Sequence, residues 1–387
     1  MKKQSSKIKI IFLLKYFADA LFTGYLSMYF SKFFDKFSFE YGLLLGIIPL
    51  CAMLGNFLFG LASKTLKRNL FLIKIICSLE LLGLMFFVGL GTTFWPLLIF
   101  TILISLCNSP SFSFQEGIAS IYSKEENVSY TSIRLMGSSG YFLALAAGAL
   151  FLKLTKNNYS LIFIFAGIIY LICLVMWFFV KPIEGLKEDK KENVSFKEVL
   201  KHKSFIVYFI IYLLVIGCNN VGDTYLYARL EEVNISDSIY SLVYALEVLV
   251  EVIILLVASK YLKERHYLLV MKIGMSVLLI RNFLCSFNFP LTLLIVFAPL
   301  RGIGWGLFLS VHLLLLRKMI SSSLVTKGIS ILTIALSLIN FIFTTTGSSI
   351  YKAISLPSFY LLLSGVQLIG IIILYVTKFK FIEQIKE

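Results

Sequence analysis

Residues 159–180 read YSLIFIFAGIIYLICLVMWFFV, and residues 181–203 continue as KPIEGLKEDKKENVSFKEVLKHK. The first stretch is continuously apolar and long enough to cross a bilayer as a helix, which takes about 20 residues. The second is polar, dense in charge and almost halfway along the chain. Together they predict a membrane-spanning helix that ends at a central loop outside the bilayer.

Apolar stretches of similar length recur along the whole chain. Hydrophobic residues make up 59% of the 387 positions and charged residues 15%, whereas soluble domains average roughly 45–50% and about 25%. This composition excludes soluble and disordered classes, and the recurrence to the C-terminus excludes a secretory signal as its cause. The six cysteines lie inside apolar stretches, which indicates core packing and neither a metal nor a redox motif.

Twelve such stretches can be marked between polar or turn-rich breaks, six on each side of the central loop. We therefore predict an all-α polytopic membrane protein with twelve transmembrane helices in two pseudo-symmetric six-helix bundles, divided into an N-terminal bundle (1–180), a cytoplasmic central loop (181–203) and a C-terminal bundle (204–387). The predicted spans are 10–31, 41–63, 69–91, 94–121, 131–153, 159–180, 204–228, 236–259, 266–287, 289–316, 327–351 and 356–377.

Two short loops support a duplication. ASKTLK at 62–67 follows the second span, and ASKYLK at 258–263 follows the eighth, at an offset of 196 residues. Duplicated bundles are the architecture in which two halves move about a site near the membrane midplane. The repeat therefore favours a secondary transporter.

Basic residues orient the chain. With the N-terminus inside, 24 of the 36 lysines and arginines fall on the cytoplasmic side. Six lie on the other side, and six more lie within spans. Cytoplasmic loops of membrane proteins carry this excess, so we expect a multi-pass plasma-membrane protein with both termini in the cytoplasm. The same sorting accounts for the net charge of +15 without a nucleic-acid partner.

Ionisable residues within the spans are the candidate functional residues, because each costs about 2.5–3.5 kcal/mol at the centre of a membrane helix unless it is paired or hydrated. Lys15 and Asp19 are four residues apart and form a predicted intramembrane charge pair, and Glu247 and Glu251 share a helix face in the same way. Twelve such residues occur, six of each sign: Lys15, Asp19, Lys74, Glu80, Glu116, Arg134, Asp223, Glu247, Glu251, Lys272, Arg281 and Arg301.

Glu247 and Glu251 have two interpretations. Neighbouring carboxylates repel when both are ionised, which suits one of them to carry a proton. Alternatively, Arg281 or Arg301 neutralises both, and the group only holds helices together.

Asn219, Asn220 and Asp223 lie in the polar stretch GCNNVGD (217–223) of the seventh span, which predicts a cavity-facing segment, with helix packing as the alternative. The prolines and glycines of the spans, including RGIGWG at 301–306, indicate breaks or close helix contacts.

These features resemble the major facilitator superfamily over nearly the whole chain. The superfamily's loop signature is met in part, since Lys64 stands where its Asp is expected in GLASKTLKR (60–68). A closer resemblance, to the lactose permease and phenylpropionate permease-like group of oligosaccharide:proton symporters, rests on Glu116 and on RLMGSSGY at 134–141. It implies that Glu116 and Arg134 bind solute hydroxyls and that Tyr141 provides a stacking face. A purely structural Glu116–Arg134 ion pair is the alternative.

In the second half the resemblance places Asp223 and Glu247 near acidic residues of that group, and it places Arg301 where the relatives have a His. Because Arg does not release a proton at physiological pH, a coupled proton would be carried by a carboxylate. Arg301 would then tune that carboxylate or bind an anionic substrate. The proton-coupling candidates are therefore Glu247, Glu251, Arg281 and Arg301, and the substrate-binding candidates are Glu116, Arg134, Tyr141, Asn219, Asn220 and Asp223.

The sequence thus predicts a proton-coupled symporter of a sugar-like or other small polar organic solute. It is expected to work as a monomer in the lipid bilayer, with no cofactor other than the coupling proton and no catalytic or metal-binding residue. Proton-antiport export of drugs or metabolites is the alternative, and a non-transporting receptor is a further one. A membrane enzyme is disfavoured, because the sequence has no HExxH, no GxGD and no P-loop motif.

Overall fold

The structure is a computed structural model that describes residues 4–63, 65–90, 92–183, 196–321 and 324–379. In these residues every regular element is a helix, and twelve helices are long and apolar enough to cross a membrane. They are α1 (Gln4–Ser31), α2 (Phe39–Ala62), α3 (Leu66–Leu90), α4 (Phe94–Glu125), α5 (Ser132–Leu154), α6 (Tyr159–Phe178), α7 (Lys203–Glu231), α8 (Asp237–Tyr261), α9 (Glu264–Cys285), α10 (Leu291–Met319), α11 (Lys327–Ile354) and α12 (Leu356–Val376).

These helices confirm the twelve predicted spans. The main difference is that α1 begins six residues earlier than predicted and α4 ends four residues later, because a helix continues beyond the bilayer where polar residues can face water. Short polar side chains cap the N-termini of two helices. The Ser38 hydroxyl accepts a hydrogen bond from the backbone N–H of Tyr41 in α2, and the Asn158 side chain accepts one from the backbone N–H of Leu161 in α6. A further short helix, Phe196–Val199, precedes α7.

Three of the helices are interrupted. α1 turns at Gly24 and Tyr25, α10 breaks at Ala298 before Pro299, and α7 contains one π-helical turn at Leu213–Gly217. A proline removes a backbone donor, and a π-turn leaves a carbonyl without its usual partner. The break at Pro299 agrees with the prediction from the sequence. Pro49 and Pro110, in contrast, lie inside continuous helices.

The chain forms two compact units. Unit 1 comprises residues 1–189 with 236–245, and unit 2 comprises 190–235 with 246–387. Helices α1 to α6 therefore belong to unit 1, which also takes the first part of α8. The remainder of α8 belongs to unit 2 with α7 and α9 to α12. The sequence did not point to this grouping of residues 236–245, and the bounds predicted for the two bundles stay a prediction.

Three helix contacts of unit 1 recur in unit 2. In unit 1, α1 packs on α6, and α3 packs on α4 and on α6. In unit 2, α7 packs on α12, and α9 packs on α10 and on α12. Every contact in the first set corresponds to one in the second after a shift of six helices. The structure thus shows the pseudo-symmetry that the repeated loop motif predicted.

Large apolar side chains lie on the outside of both units. Ile164, Phe165, Ile168 and Leu171 on α6 are all exposed, as are Leu361, Leu362, Leu368 and Ile369 on α12. Such faces would be unstable in water and are normal in contact with lipid. The structure does not describe Lys64, residues 184–195 of the central loop or the last eight residues. The partial loop signature at Lys64 and the predicted loop from 184 to 195 therefore stay predictions.

Candidate functional site

Predicted charged site residues meet at three places in the described part of the membrane-spanning helices. The first, which we call the Arg134 cluster, consists of Tyr16 on α1, Glu116 on α4 and Arg134 on α5. The Arg134 Nε lies 3.3 Å from the Glu116 Oε1, and the Tyr16 hydroxyl donates to the same oxygen at 2.9 Å. The guanidinium carbon stands 4.7 Å from the centre of the Tyr16 ring. The structure therefore brings the predicted pair Glu116 and Arg134 together.

This pair keeps capacity for a ligand. The two side chains are 41% and 39% exposed, and the Arg134 Nη1, itself a buried atom, has no hydrogen-bond partner within the described residues. An arginine presents several donors in a fixed plane, so a guanidinium held through one nitrogen can still bind hydroxyl or carboxylate oxygens.

Glycines set the position of Tyr16. A Cβ on Gly137 would lie 2.8 Å from the Tyr16 ring, and one on Gly140 would lie 2.2 Å from the Leu13 carbonyl oxygen. Only glycine permits α1 and α5 to approach this closely. Sequence reasoning missed Tyr16. The glycine spacing after Arg134 was the available signal that another helix crosses there.

Tyr141, the predicted stacking residue, makes a different contact. Its hydroxyl lies 3.2 Å from that of Tyr244, and the two rings meet edge to face with their centres 6.2 Å apart. The aromatic ring that covers Arg134 belongs to Tyr16. A stacking role for Tyr141 stays a prediction.

The second group, the Lys15 cluster, joins Lys15 and Asp19 on α1 to Glu80 on α3 and Asn108 on α4. The Lys15 ammonium lies 2.6 Å from the Glu80 Oε1, and both side chains are almost fully buried. The Asn108 amide donates to the Asp19 Oδ1 at 2.5 Å and to the Glu80 Oε1 at 2.9 Å. Lys15 and Asp19 thus share a cluster as predicted, but the close ion-pair partner of Lys15 is Glu80. Intrahelical spacing alone could not reveal a partner on another helix.

The third group, the Arg301 cluster, lies in unit 2 and contains five charged residues. Asp223 on α7 is held between two arginines: its Oδ1 lies 2.9 Å from Arg281 Nη2 of α9, and its Oδ2 lies 3.2 Å from Arg301 Nε of α10. The remaining members are Glu247 and Glu251 on α8. All five residues were predicted site residues, and the structure brings them together.

Arg301 is the centre of this cluster. Its Nη1 lies 3.2 Å from the Glu251 Oε2, and its Nε lies 3.9 Å from the Glu247 Oε2. The Glu247 side chain is only 2% exposed, and its Oε1 has no hydrogen-bond partner among the described residues. Three carboxylates thus surround Arg301, and its role in tuning a carboxylate or in binding an anionic substrate stays a prediction.

The charges of the Arg301 cluster do not balance. Among the described residues, two arginines face three carboxylates, which leaves one negative charge when all are ionised. An unbalanced charge in a buried, low-dielectric site is costly, and uptake of one proton removes it. Glu247 is the most suitable acceptor, because Asp223 and Glu251 each lie closer to a guanidinium.

A chain of amides anchors the cluster. Arg281 donates to the Asn282 Oδ1 at 2.8 Å, the Asn282 amide donates to the Gln367 Oε1 at 3.0 Å, and Gln367 donates to the carbonyl of Val215 at 3.0 Å. Val215 lies in the π-turn of α7, so Gln367 satisfies a backbone group in that irregular segment. Sequence reasoning missed Asn282 and Gln367, which no local pattern connects.

The predicted substrate-binding asparagines have separate surroundings. Asn219 is fully buried and donates to the Asp223 Oδ2 at 3.2 Å, so it supports the Arg301 cluster. Asn220 is half-buried on the next position of α7, and its carbonyl accepts from the Thr224 hydroxyl. A role of either residue in substrate binding stays a prediction.

Glycines of α10 hold this helix against α8. A Cβ on Gly302 would lie 2.2 Å from the Glu247 carbonyl oxygen, and one on Gly306 would lie 3.0 Å from the Ile254 side chain. The glycines of RGIGWG therefore make the predicted close helix contact, and they set the backbone that carries Glu247.

Comparisons with known proteins agree with this architecture. The sequence is 23% identical over 381 residues to the uncharacterized transporter YwbF of Bacillus subtilis (strain 168), covering 96% of this chain and 92% of YwbF. A crystal structure of the nucleoside transporter NupG matches with a TM-score of 0.80 and 13% identity, over 98% of this chain and 100% of that one. A mutant NupG matches with a TM-score of 0.81 and 14% identity, over 96% and 99%.

An auto-inhibited peptide transporter of the POT family has the same fold, with a TM-score of 0.77 and 9% identity over 99% of this chain and 98% of that one. The profile of the MFS_1-like family matches residues 6–362, nearly the whole chain. The protein belongs to the MFS_1-like family and is a twelve-helix membrane transporter, not an enzyme.

Proposed function

We propose that the protein is a proton-coupled symporter that imports a sugar-like or other small polar organic solute. The observation that carries this proposal is the charge imbalance of the Arg301 cluster, where the buried Glu247 and the partly exposed Asp223 and Glu251 share two arginines. Such a cluster is neutral only after it binds one proton. Exchange of that proton during the transport cycle would couple solute movement to the proton gradient.

Glu247 is the proposed proton carrier. When it is ionised, it adds a third carboxylate to those that attract Arg301. When Glu247 is protonated, Arg301 is paired with Asp223 and Glu251 only, and the cluster is neutral. We propose that the neutral form favours solute loading from outside and that both the solute and the proton are delivered inward.

The Arg134 cluster is the proposed solute site. A guanidinium with a free nitrogen, a carboxylate and the Tyr16 ring offer donors, acceptors and an apolar face, which is what a hydroxylated ring compound requires. Sugars satisfy this description, and so do nucleosides, which carry a ribose. The fold shared with the nucleoside transporter NupG makes nucleosides a sensible class to test.

Proton coupling provides enough free energy for accumulation. One proton that moves down 100 mV (about 2.3 kcal/mol) and one pH unit (about 1.4 kcal/mol) releases about 3.7 kcal/mol. This corresponds to a roughly 500-fold solute gradient.

The sign of proton movement tests the proposal. Proteoliposomes with a trapped pH-sensitive dye would be given lactose, uridine or phenylpropionate from outside without an imposed gradient. We expect one of these classes to acidify the lumen with the wild type, and not with Glu247→Gln. Alkalinisation would indicate proton antiport and hence an exporter, and solute flux without any pH change would contradict proton coupling.

We also propose that the transporter resides in the plasma membrane with both termini in the cytoplasm. The excess of basic residues in the loops that precede α3, α5, α7, α9 and α11 supports this orientation.

A further inference from the structure

The Lys15 cluster of unit 1 has the same kind of charge imbalance as the Arg301 cluster, although the proposed mechanism does not use it. One ammonium, Lys15, faces two carboxylates, Asp19 and Glu80. All three side chains are buried, with exposures of 1%, 7% and 0%. If all three are ionised, the cluster has a net charge of −1 in the membrane interior, where an unbalanced charge is expensive.

The hydrogen bonds separate the roles of the two carboxylates. Glu80 accepts directly from the Lys15 ammonium at 2.6 Å, so the one cation of the cluster is paired with Glu80. Asp19 is bonded to neutral groups: Asn108 donates to its Oδ1 at 2.5 Å, Thr23 lies 3.4 Å from its Oδ2, and the Tyr170 hydroxyl lies 3.5 Å from its Oδ1. The surplus proton therefore belongs on Asp19.

A second observation also points to a bound proton. The Glu80 Oε2 is buried and has no hydrogen-bond partner in the described part of the chain. A fully buried carboxylate oxygen without a donor is costly, so the donors around Asp19 and Glu80 are too few for both carboxylates to be ionised. Its Lys15 ammonium already stands 4.3 Å from the Tyr170 ring centre and 4.8 Å from that of Phe112.

Among the described residues, no further charged side chain contacts the cluster to restore the balance. The groups that face the cluster from α3, α4, α5 and α6 are thiols and phenols, which are neutral at physiological pH. They are Cys77, Cys107, Tyr141, Tyr170 and Cys173.

The duplication relates the two clusters. Lys15 and Asp19 on α1 have the same spacing as Asn219 and Asp223 on α7, the helix that corresponds to α1 in the second unit. Asp223 lies between two guanidinium groups. Asp19 is hydrogen-bonded to amide and hydroxyl donors. The two units thus carry aspartates in different electrostatic environments.

We infer that the Lys15 cluster is a second proton-binding site of this transporter, with the exchangeable proton on Asp19. This inference goes beyond the proposed function, since it concerns a different unit and holds whether or not Glu247 couples transport. A transporter with both sites can bind two protons, one in each unit.

Infrared spectroscopy of the protein in proteoliposomes tests the inference without a known solute. The C=O stretch of a protonated carboxylic acid is distinct from that of a carboxylate, and isotope-labelled aspartate separates aspartic from glutamic acids. We expect the wild type to show one protonated aspartic acid at neutral pH. Asp19→Asn should abolish this band. Asp35→Asn, at an exposed position before α2, is the control and should retain it.

Charge balance makes a sharper prediction for Glu80→Gln. This variant leaves Lys15 with Asp19 as the single carboxylate, so Asp19 should become ionised and its band should disappear although Asp19 is still present. Lys15→Met should instead add a protonated glutamic acid, because Glu80 loses its counter-ion. Size-exclusion chromatography of each variant checks that it remains folded, and the isosteric Asp19→Asn imitates the protonated form.

The outcomes separate the two proposals. Absence of a protonated aspartic acid in the wild type, or its persistence in folded Asp19→Asn or Glu80→Gln, would overturn the second site. The proposed proton carrier is assessed in the same spectra with labelled glutamate: a band that disappears in Glu247→Gln supports it, and no such band would contradict the proposed function alone.

Discussion

Buried charges in this transporter are arranged as unequal groups, and individual residues decide where protons and solutes can bind. Arg301 faces Asp223, Glu247 and Glu251, and of these Glu247 is the most distant at 3.9 Å. Arg134 is held through one nitrogen and keeps another free. An unpaired charge in the membrane interior is costly. This cost explains why the charged side chains pair with one another and why a side chain with an unused group can still bind a proton or a solute.

Arg134→Lys is expected to weaken binding of the solute identified in the dye assay. Lysine keeps the positive charge and loses the planar set of donors. Loss of one hydrogen bond to a charged group costs about 1.5–3 kcal/mol, or roughly 10- to 100-fold in Kd. Calorimetric titration measures the change. Lys153→Ala, near the exposed end of the same helix, is the control; wild-type affinity in Arg134→Lys would exclude Arg134 from the solute site.

The sequence predicted most of the charged site residues, because any ionisable residue within an apolar span stands out. It could not predict how they pair. Spacing along one helix suggested Lys15 with Asp19, whereas the close partner of Lys15 is Glu80 on α3. Tyr16 was missed for the same reason, since its contact with Arg134 depends on how α1 crosses α5.

At the scale of helices, small residues fix the distances on which the charged clusters depend. Gly302 allows the backbone of α10 to lie against that of α8 at Glu247. The π-turn of α7 places Val215 where Gln367 can bind its carbonyl. Composition predicted the existence of the spans, since apolar length is a local property. It did not predict the π-turn or the interruption at Gly24, because both arise from contacts between helices.

Gly302→Ala is expected to destabilise the protein. The new Cβ would lie 2.2 Å from the Glu247 carbonyl oxygen, so α8 and α10 would have to separate. Overpacking of this kind costs about 1–3 kcal/mol. Thermal unfolding in detergent measures the effect, and transport should fall with it because Glu247 is displaced.

Gly365→Ala on α12 provides the matched control. No atom lies within 4 Å of a Cβ at that position, and the residue is exposed on the lipid-facing side. Alanine is favoured over glycine in a helix by roughly 1 kcal/mol, so this variant should unfold at the same temperature as the wild type or slightly higher. Equal stabilities of the two variants would contradict the close contact at Gly302.

The whole molecule combines two related units, with the Arg134 and Lys15 clusters in unit 1 and the Arg301 cluster in unit 2, in a fold that the repeat and the loop charges already indicated. The predicted orientation concerns the entire chain. Lys153, at the end of α5, and Lys263, between α8 and α9, are both exposed and belong to loops on opposite sides.

A cysteine at either position reports its side of the membrane. We expect Lys153→Cys to react with a membrane-impermeant maleimide in intact cells, and Lys263→Cys to react only after permeabilisation. The native cysteines give a low background, since five are buried and Cys218 is partly buried. Labelling of Lys263→Cys in intact cells would reverse the proposed topology.

Counterflow and accumulation in the same proteoliposomes test the central claim, that proton binding at Glu247 couples transport. Glu247→Gln keeps the size of the side chain and imitates the protonated form. It should exchange internal for external solute at a rate near that of the wild type, yet lose the roughly 500-fold accumulation that a proton gradient can drive. Accumulation by Glu247→Gln equal to that of the wild type would contradict the account.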